Sequence, residues 1–130
     1  MTKINSRQKG ARIEREAAEF LRGFGFTVER NARNGKSAAD LDLSAAPVLA
    51  RLHIEVKGDQ SIDVHTDALV KAWDQADDCR KPEQFPVVLW KKDRAGWRLT
   101  YRVVGASEVQ VILATVRADS IAATLRWLAK

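Results

Sequence analysis

The segment RLHIEVKGDQ (Arg51–Gln60) has the pattern that decides the fold of this chain. Apolar residues occupy every second position from Leu52, so His53, Glu55 and Lys57 share the opposite face of a predicted β-strand. An acid and an amine on the polar face of a strand have two explanations at this point. They are either an ordinary ion pair on a solvated strand or two members of a catalytic site.

The segments around this strand alternate between helical and strand-like patterns. Hydrophobic periodicity and turn residues predict, in chain order, a helix at about 8–24, strands at 26–31, 39–44 and 48–57, a helix from 63 or 66 to about 80, strands at 86–92, 96–104 and 109–116, and a helix from 119 or 120 to 127. This order predicts an α/β fold with a mixed central β-sheet flanked by helices.

Length and composition limit the class of protein. A chain of 130 residues is long enough for one hydrophobic core, so we expect a single domain at 1–130. No apolar run approaches the roughly 20 residues of a membrane span, and the start MTKINSRQKG lacks the apolar stretch of a signal peptide. The single cysteine, Cys79, excludes an internal disulfide and a multi-cysteine zinc site. We therefore expect a cytoplasmic protein with no membrane partner.

The charge distribution favours a polyanionic partner. The net charge is +5, and residues 1–36 alone supply this excess, because they contain nine Lys and Arg against four Glu. Such a cluster binds phosphates by releasing counterions, which makes the affinity fall steeply with salt. The alternative is a basic surface that is merely solvated.

The first predicted helix carries an acid on its apolar side. In helical projection Glu14 lies inside the arc formed by Ile13, Ala17, Phe20, Leu21 and Phe24. A carboxylate directed at a core costs several kcal/mol unless a cation or hydrogen bonds compensate it. Glu14 is therefore either partly exposed at the margin of the helix or a functional group.

A further acid precedes the Arg51–Gln60 segment by one strand. If the strand at 39–44 pairs with the strand at 48–57, Asp40 and Glu55 lie side by side, with Lys57 one step further along the same face. Like charges in such positions repel unless Lys57 or a divalent cation neutralises them. Two carboxylates with water and phosphate oxygens form the oxygen-rich site that Mg²⁺ prefers.

Together these residues resemble the PD-(D/E)XK nuclease superfamily, and in particular the archaeal-type Holliday junction resolvases and their phage relatives. The similarity begins at RQKGARIEREAAEFLRGFGFTVER (Arg7–Arg30), continues through SAADLDLS and HIEVK, and reaches PVVLWKKDRAGWRLTYR (Pro86–Arg102). It implies a restriction-endonuclease-like core at about 7–103, to which 104–130 adds a C-terminal strand and helix.

The resemblance assigns roles to individual residues. The catalytic set is Glu14, Asp40, Glu55 and Lys57, and the three acids of this set are the implied metal ligands for Mg²⁺ or Mn²⁺. Two departures stand out. An alanine occupies the position before Asp40 where the superfamily name has proline, and Asp42 offers a second carboxylate in the same strand.

The implied substrate is DNA, a four-way junction or another branched form, cut by a homodimer in the cytoplasm of a prokaryotic or phage-infected cell. The implied DNA-binding residues are Arg15, Arg30, Lys9, Arg12, Arg33 and Lys36. Two other possibilities stay open. One is a repair or restriction-type nuclease on the same core that acts on a different DNA geometry, and the other is a catalytically silent DNA-binding module.

Overall fold

A computed structural model of the chain describes residues 6–31, 40–59, 62–64, 66–92, 95–103 and 112–130. Its helices are α1 (Ser6–Arg22), α2 (Asp67–Cys79) and α3 (Ala118–Leu128). Its strands are β1 (Glu29–Arg30), β2 (Leu41–Asp42), β3 (Leu52–Asp59), β4 (Phe85–Lys92), β5 (Arg98–Val103) and β6 (Ile112–Arg117). No helix in these parts of the chain is long and apolar enough to cross a membrane.

Four of the strands form one mixed sheet in the order β3-β4-β5-β6. Strand β3 runs parallel to β4, and the other two pairs are antiparallel. The main core packs α1 and α3 on one face of this sheet, and a second apolar cluster packs α2 on the other. The predicted α/β fold with a mixed sheet between helices is confirmed.

Helix α1 approaches β3 so closely that a side chain is excluded from the strand. A Cβ placed on Gly58 would overlap the side chain of Ile13, which is buried on α1. Gly58 does not end the strand, because β3 runs on to Asp59. The helix itself ends at Arg22, two residues earlier than predicted, and the chain turns at Gly25 with φ of 91°.

Helix α2 begins directly after position 66, which is one of the two starts predicted for this helix. Thr66 is the N-cap, and its Oγ1 accepts a hydrogen bond from the backbone N–H of Leu69 at 3.4 Å. The apolar side of α2 includes Trp73 and packs on Val88 and Trp90 of β4. This packing covers the face of the sheet that carries the polar residues of β3.

The last strand and helix are part of the main core. Strand β6 pairs with β5 along its whole length, from Arg98 opposite Arg117 to Val103 opposite Ile112. On α3, Ile121 and Leu125 are fully buried in the main core cluster. The segment that the resemblance leaves as an extension thus supplies an edge strand and one of the covering helices.

The two strands between α1 and β3 are shorter than predicted. Strands β1 and β2 have two residues each and pair with each other, not with the four-stranded sheet. The predicted strand at 48–57 is also divided, because Pro47–Leu49 forms a 3-10 turn before β3 starts at Leu52. In the described structure the expected pairing of the Asp40 strand with the Glu55 strand is therefore absent, and the two residues are connected differently.

Candidate active site

Glu55 is the most strongly perturbed acid of the predicted site. It lies on the α2-facing side of β3 and is only 5% exposed. Burial, the charge of Asp40 and a hydrogen bond with Asp40 raise the pKa of Glu55 to about 8, and the charge of Glu14 adds to the rise. Lys57 acts in the opposite direction. Such a strong shift of a carboxyl beside other acids is typical of a functional site.

Asp40 reaches the same place through its side chain. It lies directly before β2, and its Oδ2 accepts a hydrogen bond from the backbone N–H of Val56 at 2.8 Å. Val56 is the neighbour of Glu55 on β3, an edge strand of the four-stranded sheet. The expected proximity of Asp40 and Glu55 thus arises from a side-chain bond to the strand edge, without a backbone ladder.

Glu14 has a cationic partner that explains its position on the apolar side of α1. The Nε of Arg30 donates to Oε2 of Glu14 at 2.9 Å, and both side chains are largely covered. Burial raises the pKa of Glu14, the hydrogen bond from Arg30 lowers it, and the charge of Asp40 raises it again. Glu14 therefore lies within electrostatic reach of Asp40 while it is held by Arg30.

Lys57 is the exposed member of the set. It follows Glu55 by two residues on the same face of β3, and its side chain lies at the surface. Because its charge lowers the pKa of the buried Glu55, the two groups interact electrostatically. An amine in this position is open to a substrate that approaches the carboxyl pair from solvent.

Asp42 does not share the environment of Asp40. Its side chain is exposed, and its Oδ1 accepts a hydrogen bond from the backbone N–H of Ser44 at 2.9 Å. Hydrogen bonding to Ser44 lowers the pKa of Asp42. Of the two candidate acids of this strand, Asp40 is the one that the structure connects to β3.

The predicted DNA-binding residues divide into three groups. On α1, Arg12 and Arg15 are exposed and Lys9 is partly exposed, and none of them forms an ion pair with another residue of the described ranges. Arg30 is bound to Glu14. The remaining two, Arg33 and Lys36, lie outside the described residues, as does Gln60 next to the strand.

The oxygen donors fit a hard divalent cation better than any other common metal. Mg²⁺ and Mn²⁺ prefer carboxylate, water and phosphate oxygens, and a buried acid with a raised pKa beside a second acid is stabilised by added positive charge. In the described part of the chain, however, no group of three or more His, Cys, Asp and Glu side chains is arranged to hold a metal. The pair that fits is Asp40 with Glu55, while Glu14 is engaged by Arg30.

Two features of this site are not evident from the sequence. The ion pair of Glu14 with Arg30 joins residues 16 positions apart, and no local pattern predicts such a contact. Alternation places His53 on the polar face of the strand, and in the structure it is only 3% exposed. The burial of His53 follows from the packing of α2 over this face, which a single strand pattern does not reveal.

Comparison with known families agrees with this geometry. The sequence profile of the family described as archaeal Holliday junction resolvase (Hjc) matches residues 5–121. The match extends beyond 103, so it includes β6 and the start of α3, which belong to the observed sheet and core. A search of curated proteins finds no match. The chain belongs to the archaeal Holliday junction resolvase family, a family of PD-(D/E)XK-type nucleases with a restriction-endonuclease-like fold.

Proposed function

We propose that the chain is a metal-dependent, structure-selective endonuclease that hydrolyses phosphodiester bonds in branched DNA, with the four-way junction as its substrate. The observation that carries this proposal is the buried Glu55 beside Asp40, on the strand face that also presents Lys57. Family membership supports the nuclease class, and this arrangement supports the assignment of catalytic roles to these residues.

The proposed ligands of the metal are Asp40 and Glu55, and Glu14 completes the set directly or through water. When bound there, Mg²⁺ or Mn²⁺ supplies positive charge that polarises the phosphate and makes a water molecule more acidic. The protein keeps the two acids close by holding Asp40 on the backbone of β3. Because Glu55 is buried, water solvates its negative charge poorly. A cation bound beside the carboxylate stabilises this charge instead.

Lys57 is proposed to act on the reacting groups themselves. Its ammonium group is exposed beside the carboxyl pair, where it can orient the attacking water or stabilise the charge that develops on the phosphorane. The attacking water forms the new P–O bond and releases a proton to solvent, as the P–O bond to the leaving 3′ oxygen breaks. The leaving oxygen takes up a proton from solvent, so that a 3′ hydroxyl and a 5′ phosphate result.

The basic residues of α1 are proposed to bind the phosphates that flank the cleaved bond. Lys9, Arg12 and Arg15 supply positive charge at or near the surface of the helix that also carries Glu14. Arg30 uses its Nε for Glu14, and a guanidinium has further N–H groups that suit phosphate oxygens. We therefore propose a double role for Arg30, in holding Glu14 and in contacting DNA.

We further propose that the enzyme acts as a homodimer, since a four-way junction is approximately two-fold symmetric and requires two matched cuts. A groove of about 670 Å³, whose lining includes Phe85, Tyr101, Val103 and Trp127 as well as charged residues, is the proposed contact for a second copy. Trp127 is 63% exposed at its rim, and Phe85 and Val103 are also exposed. Exposed apolar surface of this kind favours an intersubunit contact.

The test is a cleavage assay on an immobile four-way junction with Mg²⁺, beside linear duplex and flap substrates of the same sequence. We expect the wild-type protein to cut the junction in a metal-dependent manner, and Glu55→Gln or Asp40→Asn to bind the junction without cutting it. Preferential cleavage of a flap or a duplex would instead favour a repair or restriction-type enzyme. Junction binding by the wild type without cleavage in Mg²⁺ or Mn²⁺ would favour a catalytically silent DNA-binding module.

Cleavage by both variants at the wild-type rate would place the catalytic site elsewhere. A matched control is Asp42→Asn, which removes an exposed carboxylate two residues after Asp40. This variant should cut normally.

We propose that the enzyme meets its DNA in the cytoplasm of a bacterial, archaeal or phage-infected cell.

A further inference from the structure

The polar face of β3 buries a second titratable side chain that the proposed mechanism does not use. His53 is 3% exposed, and its Nε2 lies 4.0 Å from Oε2 of Glu55. Within the described structure this ring nitrogen has no hydrogen-bond partner. A buried polar atom without a partner destabilises the folded state, so such an atom beside a catalytic carboxyl calls for an explanation.

One other buried side-chain nitrogen in the described ranges lacks a partner, and it differs in kind. Trp73 Nε1 belongs to α2, and the ring packs in the apolar cluster with Val88. An indole N–H can only donate, and the tryptophan ring is not a titratable or metal-ligating group. This difference makes Trp73 a control for the effect of a buried nitrogen as such.

The spacing along β3 directs His53 at Glu55. Residues two apart on a strand point to the same side, and both side chains are buried on the side that α2 packs against. At 4.0 Å the contact is too long for a hydrogen bond, and an approach of about 1 Å would bring it to hydrogen-bonding distance.

We propose that His53 is a positioning residue, whose Nε2–H donates to the ionised Glu55 carboxylate and fixes the orientation in which Glu55 and Asp40 hold the metal. The proposal rests on the proposed function of the site. An ionised carboxylate only accepts hydrogen bonds, so the neutral imidazole must carry its proton on Nε2. Partners that orient a ligand in this way commonly affect metal affinity or activity by 10–100-fold.

The tautomer of His53 gives a direct test that does not depend on cleavage. Long-range ¹⁵N–¹H correlation spectra in saturating Mg²⁺ at pH 8 distinguish a protonated from a bare Nε2. The chain has two histidines, so His65→Gln assigns the remaining signal to His53. We expect a protonated Nε2 on a neutral ring. A neutral ring that carries its proton on Nδ1 would overturn the proposal.

Matched substitutions test the positioning role. His53→Leu removes the donor, whereas His53→Gln retains an N–H at a similar reach. We expect His53→Leu to raise the Mg²⁺ concentration for half-maximal stabilisation, or to lower kcat on the junction, by 10–100-fold. KM for the junction should stay unchanged, and His53→Gln should recover most of the loss. Trp73→Phe should match the wild type in both measurements.

Two outcomes would refute the role of His53. One is a His53→Leu protein that folds and behaves as the wild type in Mg²⁺ binding and kcat. The other is a His53→Gln protein that folds and is as impaired as His53→Leu, since the retained N–H would then be irrelevant. Urea unfolding verifies folding in each case. If the wild type cuts no DNA, the proposed function fails, while the tautomer and the Mg²⁺ titration still decide the role of His53.

Discussion

The buried Glu55 should make the metal-free protein less stable as the pH rises, and Glu55→Gln should remove this dependence. The pKa of Glu55 is raised from an ordinary value of 4.5 to about 8. Between these values the folded protein binds more protons than the unfolded chain, so the stability that the protonated carboxyl provides is lost as the pH rises toward about 8. The amide of glutamine does not titrate and has no such dependence.

The size of the effect follows from the shift. One pKa unit corresponds to about 1.4 kcal/mol, so a shift from 4.5 to about 8 integrates to about 4 kcal/mol at pH 8. We take this as the upper limit, because Glu55 is coupled to Asp40 and Glu14. For a domain with an unfolding free energy of about 5–15 kcal/mol, even half of this value is easily measured.

The assay is urea unfolding followed by fluorescence of the four tryptophans, at pH 5 and pH 8, in EDTA and in Mg²⁺. In EDTA at pH 8, Glu55→Gln should be more stable than the wild type, and at pH 5 the difference should be small. Burial also lowers the pKa of His53 below its ordinary value of 6.5, so this residue adds its own pH dependence to the stability. The difference between wild type and variant at each pH largely cancels that contribution.

The metal should reduce the difference at high pH. At a Mg²⁺ concentration of about 100 times the Kd, the wild type gains about 2.7 kcal/mol, whereas Glu55→Gln has lost a ligand and should gain little. Asp42→Asn is the control. The pKa of the exposed Asp42 is lowered, so its charge costs no stability at pH 8, and the substitution should not stabilise the protein in EDTA. Parallel pH profiles of the wild type and Glu55→Gln in EDTA would refute the reasoning, since Glu55 would then titrate as an ordinary exposed acid.

Three other substitutions test the packing, the DNA contact and the assembly. Gly58→Ala should destabilise the protein by about 1–3 kcal/mol in urea unfolding, because its Cβ overlaps Ile13; Ile13→Ala in the same chain should relieve part of this overlap, and additive losses would contradict the contact. Arg15→Ala should weaken junction binding and reduce the salt slope by about 1, whereas Lys81→Ala, after α2, should not, and equal slopes for both variants would contradict a phosphate contact of Arg15. Trp127→Ala should shift the protein toward monomer in sedimentation experiments, and an unchanged dimer would exclude this groove as the subunit contact.

The sequence predicts the elements of this fold better than their connections. Periodicity locates β3 and the two faces of α1. The burial of Ile54 follows from the two-residue period of the strand, and that of Ile13 from the 3.6-residue period of the helix. The pairing of the short β1 with β2, and the attachment of Asp40 to Val56 through a side chain, depend on contacts between distant segments. No local pattern encodes these contacts, so a strand ladder was the simplest expectation and was wrong.

The candidate site shows the same division. The acid and amine of IEVK follow from alternation in β3, and the place of Glu14 inside an apolar arc marks it as unusual. The cation that compensates Glu14 is Arg30, which the family resemblance assigned to DNA binding. The sequence thus indicates which groups are unusual, and the fold decides how each of them is neutralised.

The connection of Asp40 to β3 links the stability of the fold to the proposed chemistry. In the described structure β3 is an edge of the four-stranded sheet, and an open edge leaves backbone N–H groups without partners. Asp40 provides an acceptor for the N–H of Val56, and the same bond places its carboxylate beside the buried Glu55. A backbone strand at this edge would satisfy the N–H equally well, but it would bring no charge. Because a side chain does so instead, the protein closes an exposed edge with one of the two oxygen ligands that its proposed metal requires.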